Sequence, residues 1–147
     1  MIRAVIDTNV LVRYLLRPSA AIRELIEERW LGGEVQVVTA PELLDELMGV
    51  LAREKLRALV LPQEAQALLD ALRARAEILP GLGDVPTFTR DAKDDKFVAC
   101  ALAGNAVCVI TLDLDLLILR QFGATRMVTP GQFLEELGPR PDRESHP

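Results

Sequence analysis

Apolar positions along the chain recur in two rhythms. Short unbroken runs at Arg3–Asp7 (RAVID), Val35–Val38 (VQVV) and Ala106–Thr111 (AVCVIT) have the length and continuity of strands buried on both faces. Between them apolar residues return every three or four positions, the helical period. The first run predicts a following helix over Val10–Leu16 with Thr8 or Asn9 as its cap. Pro18-Ser19 breaks and recaps the chain into a second helix, which Gly32-Gly33 stop at Leu31. Thr39-Ala40-Pro41 opens a long helix to about Leu56, and Pro62 opens another from Gln63 to about Ala76. Glu77–Arg90, rich in Gly and Pro, reads as a short strand plus loop. A helix over Ala92–Ala103 ends at Gly104-Asn105. A short helical piece Leu114–Gln121, a strand Arg126–Val128 and a last helix, capped at Thr129-Pro130-Gly131 and running to Leu137, complete the pattern. Gly138–Pro147 reads as a polar, flexible tail.

Strands alternating with helices predict an α/β fold: a three-layer α/β/α sandwich around a central, mainly parallel sheet of about five strands. No repeat or linker divides residues 1–137, so they read as one domain. In such sheets ligands bind outside the carboxyl ends of the strands, and candidate chemistry is to be sought there.

Composition narrows that chemistry. The chain has 147 residues, one histidine (His146) and two serines (Ser19, Ser145), so serine and cysteine nucleophiles lack a base. No Cys/His spacing suits zinc, and no glycine-rich phosphate loop is present. Cys100 and Cys108 lie in apolar segments and read as buried thiols of a reducing cytoplasm. No run reaches the roughly 18 apolar residues of a membrane span. Met1–Leu16 carries Arg3, Asp7, Asn9 and Arg13 and reads as structure rather than a leader. The net charge is −5, without the basic footprint of a general nucleic-acid binder. What remains is chemistry by carboxylates, amides, hydroxyls or a hard cation.

The carboxylates gather at informative places. Asp7 ends the first strand, and Asp113 lies just past the third apolar run, with Thr111 on the same side by the strand period of two. In the helix from Pro41, Glu46 lies on the margin of the stripe Leu43, Leu44, Leu47, Val50 and Leu51. In the helix from Ala92, Asp94 sits near the centre of the stripe Phe97, Val98, Ala101 and Leu102, with Asp91 a turn earlier and Asp95 on the flank. Taken singly, Asp91, Asp94 and Asp95 also suit a helix N-terminus, Asp115 suits a cap, and Glu46 suits a solvated helix edge. Taken together, four acids from four separate segments at one sheet edge would repel by several kcal/mol per close pair. Protons or a cation must relieve that, and oxygen-only ligands select Mg²⁺ or Mn²⁺.

These segments resemble the PIN-domain family of metal-dependent ribonucleases. VIDTNVLVRYL (Val5–Leu15) is similar to the family's opening strand and loop, PELLDELMGVLAREKL (Pro41–Leu56) to the helix that carries its second acid, and RDAKDDKFVACALAGNAVCVITLDLDLL (Arg90–Leu117) to its acid-rich helix start, strand and T-x-D-x-D loop. VTPGQFLEEL (Val128–Leu137) is similar to the closing strand and helix. The resemblance implies hydrolysis of RNA with metal-activated water, in the cytoplasm. It makes Asp7, Glu46, Asp94 and Asp113 the metal-holding and catalytic set. Asp91, Asp95 and Asp115 would be additional acids, and Thr8, Asn9 and Thr111 would support them. Helical phase selects Asp94 as the third acid, whereas spacing in other branches of the family fits Asp95. Arg13, Arg90, Lys93 and Lys96 are candidates for contacts with the RNA backbone. The resemblance further implies a toxin neutralised by a cognate antitoxin protein, and a homodimer. A non-catalytic binding module and a nuclease for single-stranded or flap DNA remain as alternatives. A phosphate-transferring aspartate enzyme is a third, weakened because Asp113-Leu114-Asp115 arrives so late in the chain.

Overall fold

A computed structural model describes residues 1–140. Its strands are β1 (Ile2–Ile6), β2 (Val35–Thr39), β3 (Glu77–Ile78), β4 (Cys108–Ile110), β5 (Gln121–Phe122) and β6 (Thr125–Val128). They form one sheet in the order β3-β2-β1-β4-β6-β5, parallel throughout except for the β5–β6 pair. The helices are α1 (Thr8–Leu16), α2 (Ala20–Arg23, continued as a π-helix over Glu24–Trp30), α3 (Pro41–Leu51), α4 (Glu54–Leu59), α5 (Pro62–Arg75), α6 (Asp95–Ala103), α7 (Leu114–Leu117) and α8 (Pro130–Leu137).

Alternation along the strands sorts the core into two halves. Ala4, Ile6, Val37, Ile110 and Val128 pack on one face with Leu11, Ile26, Trp30, Leu47, Leu72 and Phe133. Val5, Val38, Val109 and Met127 pack on the other with Leu43, Phe97, Val98, Ala101 and Leu116. Each fully buried side chain of this size contributes about 1.5–3 kcal/mol, and together they produce the three-layer α/β/α sandwich. Leu68 and Leu72 of α5 are buried in the core. Cys100 and Cys108 are free, buried thiols.

Several local expectations change. The sheet has six strands because α7 ends at Leu117. Arg120 then takes a φ of 63° and Gly123 one of 58°, which turns Gln121-Phe122 back to pair with Thr125-Arg126. The run Ala106–Thr111 is a strand only over Cys108–Ile110. The helix expected from Pro41 to Leu56 is two helices. Arg53 between them is extended (φ −63°, ψ 141°), and the bend lets Leu56 and Val60 fold back toward apolar partners. The helix expected from Ala92 begins with a 3-10 turn, Ala92–Asp94. The cap of α1 is Asp7, not Thr8 or Asn9: its carboxylate accepts from the Asn9 N–H at 3.3 Å.

The predicted tail starts out tied down. Arg29, 3% exposed, pairs with Glu24 and Glu34 and donates to the Gly138 carbonyl at 2.6 Å, while Arg140 pairs with Glu28. Residues 141–147, with Ser145 and His146, lie outside the described residues. Among the described residues no helix is long and apolar enough to cross a membrane.

Gly104 closes α6 directly against β2. A Cβ there would lie 2.5 Å from Val38 Cγ1 and 3.2 Å from the Cys100 carbonyl oxygen, and the Gly104 carbonyl itself accepts from Arg3. Gly104→Ala is therefore expected to lower the unfolding free energy by about 1–3 kcal/mol. A urea titration checks this, and an unchanged midpoint would show that β2 yields without strain.

Candidate metal centre

Strand pairing builds the centre of the site. Ile6 of β1 is in register with Ile110 of β4, so the next residues, Asp7 and Thr111, stand side by side at the carboxyl edge. The Asp7 N–H continues the ladder to the Ile110 carbonyl at 2.9 Å, and Thr111 Oγ1 donates to Asp7 Oδ2 at 2.7 Å. The Asp113 N–H in turn donates to Thr111 Oγ1 at 2.9 Å, which draws the following loop in beside Asp7. β1 connects onward to β2 on one side while β4 leads to β6 on the other, so this edge is the point where strand order reverses. That is where sheets of this kind bind ligands.

Helices bring in the other acids. α1 packs on α3, and Thr8 Oγ1 donates to Glu46 Oε2 at 2.5 Å, fixing the Glu46 carboxylate toward Asp7. The short turn ahead of α6 delivers Asp94. Asp7, Glu46, Asp94 and Asp113 line one cleft of about 160 Å³ together with Thr8, Asn9, Val50, Arg53, Lys93 and Phe97. Of the supporting residues, Thr8 and Thr111 make side-chain bonds to the acids, whereas Asn9 contributes its backbone N–H. A larger groove of about 780 Å³, walled by Met48, Leu51, Leu56 and Leu69, contains none of these acids. Size therefore does not mark the chemistry here.

Asp94 and Asp95 have separate occupations. Asp95 accepts from the Phe88 N–H, the Thr89 N–H and the Thr89 hydroxyl, at 3.0, 2.7 and 2.9 Å, and so anchors the preceding loop. Asp94 is 7% exposed, and its Oδ2 is buried without a hydrogen-bond partner. An anionic oxygen left so is costly unless something positive meets it. Asp91, Asp94 and Asp115 each offer an oxygen within 4.8 Å of the others. Asp115 does not cap α7. Asp113 does, accepting from the Asp115 N–H at 2.8 Å.

Electrostatics divides the acids into an outer and an inner group. Glu46 pairs with Lys96 at 2.9 Å, Asp115 with Arg90 at 2.9 Å and Asp91 with Lys93 at 3.6 Å. Three of the four cations expected to contact substrate are thus occupied by carboxylates, and Arg13 lines other grooves. Asp7, Asp94 and Asp113 have no cationic side chain paired with them among the described residues. Burial, opposed by the Thr111 and Asn9 hydrogen bonds and reinforced by Glu46 and Asp113, pushes the Asp7 carboxyl up to about 6. Burial, then the charges of Asp113, Asp7, Asp91 and Asp115, push Asp94 up to about 7. An all-oxygen donor set with a buried, unmatched carboxylate oxygen fits a hard divalent cation.

Two residues emerge that the sequence reading passed over. Arg53 lines the cleft from the bend between α3 and α4; its signal was its place two helical turns beyond Glu46. Glu42 accepts from the Leu82 N–H at 2.6 Å and holds the loop before Asp91, and no sequence period marks that contact.

The family model described as "PIN domain" matches residues 3–115. No curated protein matches the chain. Among solved structures, the fold is similar to the crystal structure of VapBC2 from Rickettsia felis bound to a DNA fragment from their promoter. That match has a TM-score of 0.57 and 16% identity, covering 87% of this chain and 98% of that one.

The raised carboxyls set the sign of a pH dependence. Folding favours the protonated forms of Asp94 and Asp7, so their contribution to stability is full below about pH 4 and is lost as pH rises through about 6 to 7. In chelator at pH 8, Asp94→Asn is expected to stabilise the chain by on the order of 1 kcal/mol, with little gain at pH 4. Mn²⁺ should raise the melting temperature of the parent chain at pH 8 and not that of the variant. A variant that melts lower than the parent at pH 8 would show that Asp94 is not under charge repulsion.

Proposed function

This chain belongs to the PIN-domain family, and from that premise we propose that it is an Mg²⁺- or Mn²⁺-dependent endoribonuclease. The single observation that carries the reading is the group formed by buried Asp7 and Asp94 with half-buried Asp113, unmatched by any cation of the described chain while Glu46, Asp91 and Asp115 around them are each paired. Asp7, Glu46, Asp94 and Asp113 would hold the ion, with Asp91 and Asp115 beside it. When bound, a divalent cation supplies Lewis acidity, making water a stronger nucleophile and neutralising charge on a phosphodiester.

The chain's own residues do the positioning. Thr111 fixes the orientation of Asp7, and Thr8 with Lys96 fixes that of Glu46. Such hydrogen bonds to ligating carboxylates sharpen both affinity and geometry. Lys96 balances the charge of Glu46, and its ammonium also sits 5.6 Å from the Phe97 ring centroid. Arg53, exposed in the cleft wall, meets a non-bridging phosphate oxygen and offsets the acidity that would otherwise repel a polyanion. No histidine is given a role in this reading. The reading extends to a cytoplasmic protein held in check by a small cognate antitoxin and assembled as a homodimer. The fold shared with VapBC2 supports the antitoxin part of that reading.

Asp7→Asn and Asp94→Asn are each expected to reduce Mn²⁺-dependent cleavage of single-stranded RNA by at least about 100-fold without loss of fold by circular dichroism. In the parent chain, cleavage should rise with pH up to about 7, as Asp94 and Asp7 lose their protons, and then level off. Chelator should abolish it. Cleavage that persists in Asp7→Asn, or that prefers single-stranded DNA over RNA of the same sequence, would refute the assignment.

A further inference from the structure

We propose that a single polynucleotide strand leaves the acidic cleft along the exposed face of α1, its phosphates held by Arg13 and Arg17. The inference rests on the nuclease reading above and adds the path taken by its substrate. Two separate continuities lead there. Along α1, Asn9 lines the cleft and Arg13 follows one turn on; Arg17 is the residue just past the helix, its N–H still bonded to the Arg13 carbonyl, and all three are exposed. Along the opposite wall, Asp113 lines the cleft, and its neighbour Leu112 lines an adjoining groove of about 430 Å³ with Arg13, Arg17, Thr129 and Pro130. A second groove, about 510 Å³, is lined by the same two arginines with Leu16 and Leu59. The two exposed arginines thus form a ridge bordering both grooves, the first of which also includes Leu112, the residue before Asp113.

Charge supports this direction, as it does at the unpaired Arg53 of the cleft wall. On the far side of the cleft, Arg90, Lys93 and Lys96 are matched by Asp115, Asp91 and Glu46. Arg13 and Arg17 make no side-chain hydrogen bond or ion pair among the described residues. In a chain of net charge −5, a polyanion meets attraction only where arginines stand unpaired. A guanidinium presents its donors in a planar fork that matches two phosphate oxygens. Contacts of this kind fix register on the backbone and carry no sequence information. Leu112, 38% exposed at the head of the first groove, offers an apolar surface to a base next to the cleft.

The test is binding of a 5′-labelled single-stranded RNA of about 12 nucleotides by fluorescence anisotropy in EDTA, where no cleavage occurs. It compares the parent chain with Arg13→Ala/Arg17→Ala and Arg13→Lys/Arg17→Lys. The alanine pair is expected to weaken binding about ten-fold and to reduce the slope of log affinity against log salt by about 1.4, the value for two released phosphates on a single strand. The lysine pair should keep that slope, showing that charge rather than packing is at work. Unchanged affinity and slope in the alanine pair would overturn the proposal, as would binding of polyglutamate but not RNA at these arginines, which would assign the ridge to a protein partner. If the parent chain shows the expected slopes yet cleaves nothing in Mg²⁺ or Mn²⁺, the strand path stands and the nuclease reading falls.

Discussion

Parallel pairing of β1 with β4 places Asp7 beside Thr111, and the 2.7 Å hydrogen bond between them joins the fold to the site. Asp113 and Glu46 are positioned relative to that pair. The Thr111 hydroxyl also receives the Asp113 N–H, which brings the third segment in. The Asp7 carboxylate caps α1, which sets the angle at which Thr8 reaches Glu46. A shift of register by one residue would send Thr111 to the opposite face of the sheet, and the acids would lose their common focus.

Charge matching then gives the site its layered character. Glu46, Asp91 and Asp115 at the periphery each have a lysine or arginine. Asp7 and Asp94, both nearly inaccessible, have none, and both carboxyls hold their protons far above the ordinary carboxylate range. Paired acids outside and unpaired acids inside concentrate negative potential over a small volume. That is the arrangement in which a small, doubly charged ion gains most from replacing part of its hydration shell.

Much of this was legible in the chain. The apolar runs marked β1, β2 and β4, and helical phase placed Glu46 on the margin of one apolar stripe and Asp94 near the centre of another, because burial imposes period on sequence wherever an element packs on one side. Phase put Asp95 on the flank, whereas it is as buried as Asp94, its carboxylate taken up by the loop bonds to Phe88 and Thr89. Features set by backbone dihedrals at single residues escaped notice. The extended Arg53 that splits one helix into two, and the positive φ at Arg120 that makes β5, leave no periodic trace. Side-chain pairing between distant segments was equally hidden. Lys93, Lys96 and Arg90 look like free surface cations in one dimension and prove to be counter-ions in three.

The double duty of Asp7, as ligand candidate and as cap of α1, makes the centre unequal in how it can decay. Replacing Asp7 disturbs a helix start and a buried hydroxyl contact as well as the chemistry, so such a change is opposed by the fold itself. Nothing in the fold defends Asp94 in the same way, because its inner oxygen has no partner to lose. Descendants of this chain that keep the architecture but abandon metal chemistry would therefore drift first at position 94, and a folded, silent homologue should be sought among sequences that have lost that aspartate while keeping the one after the first strand.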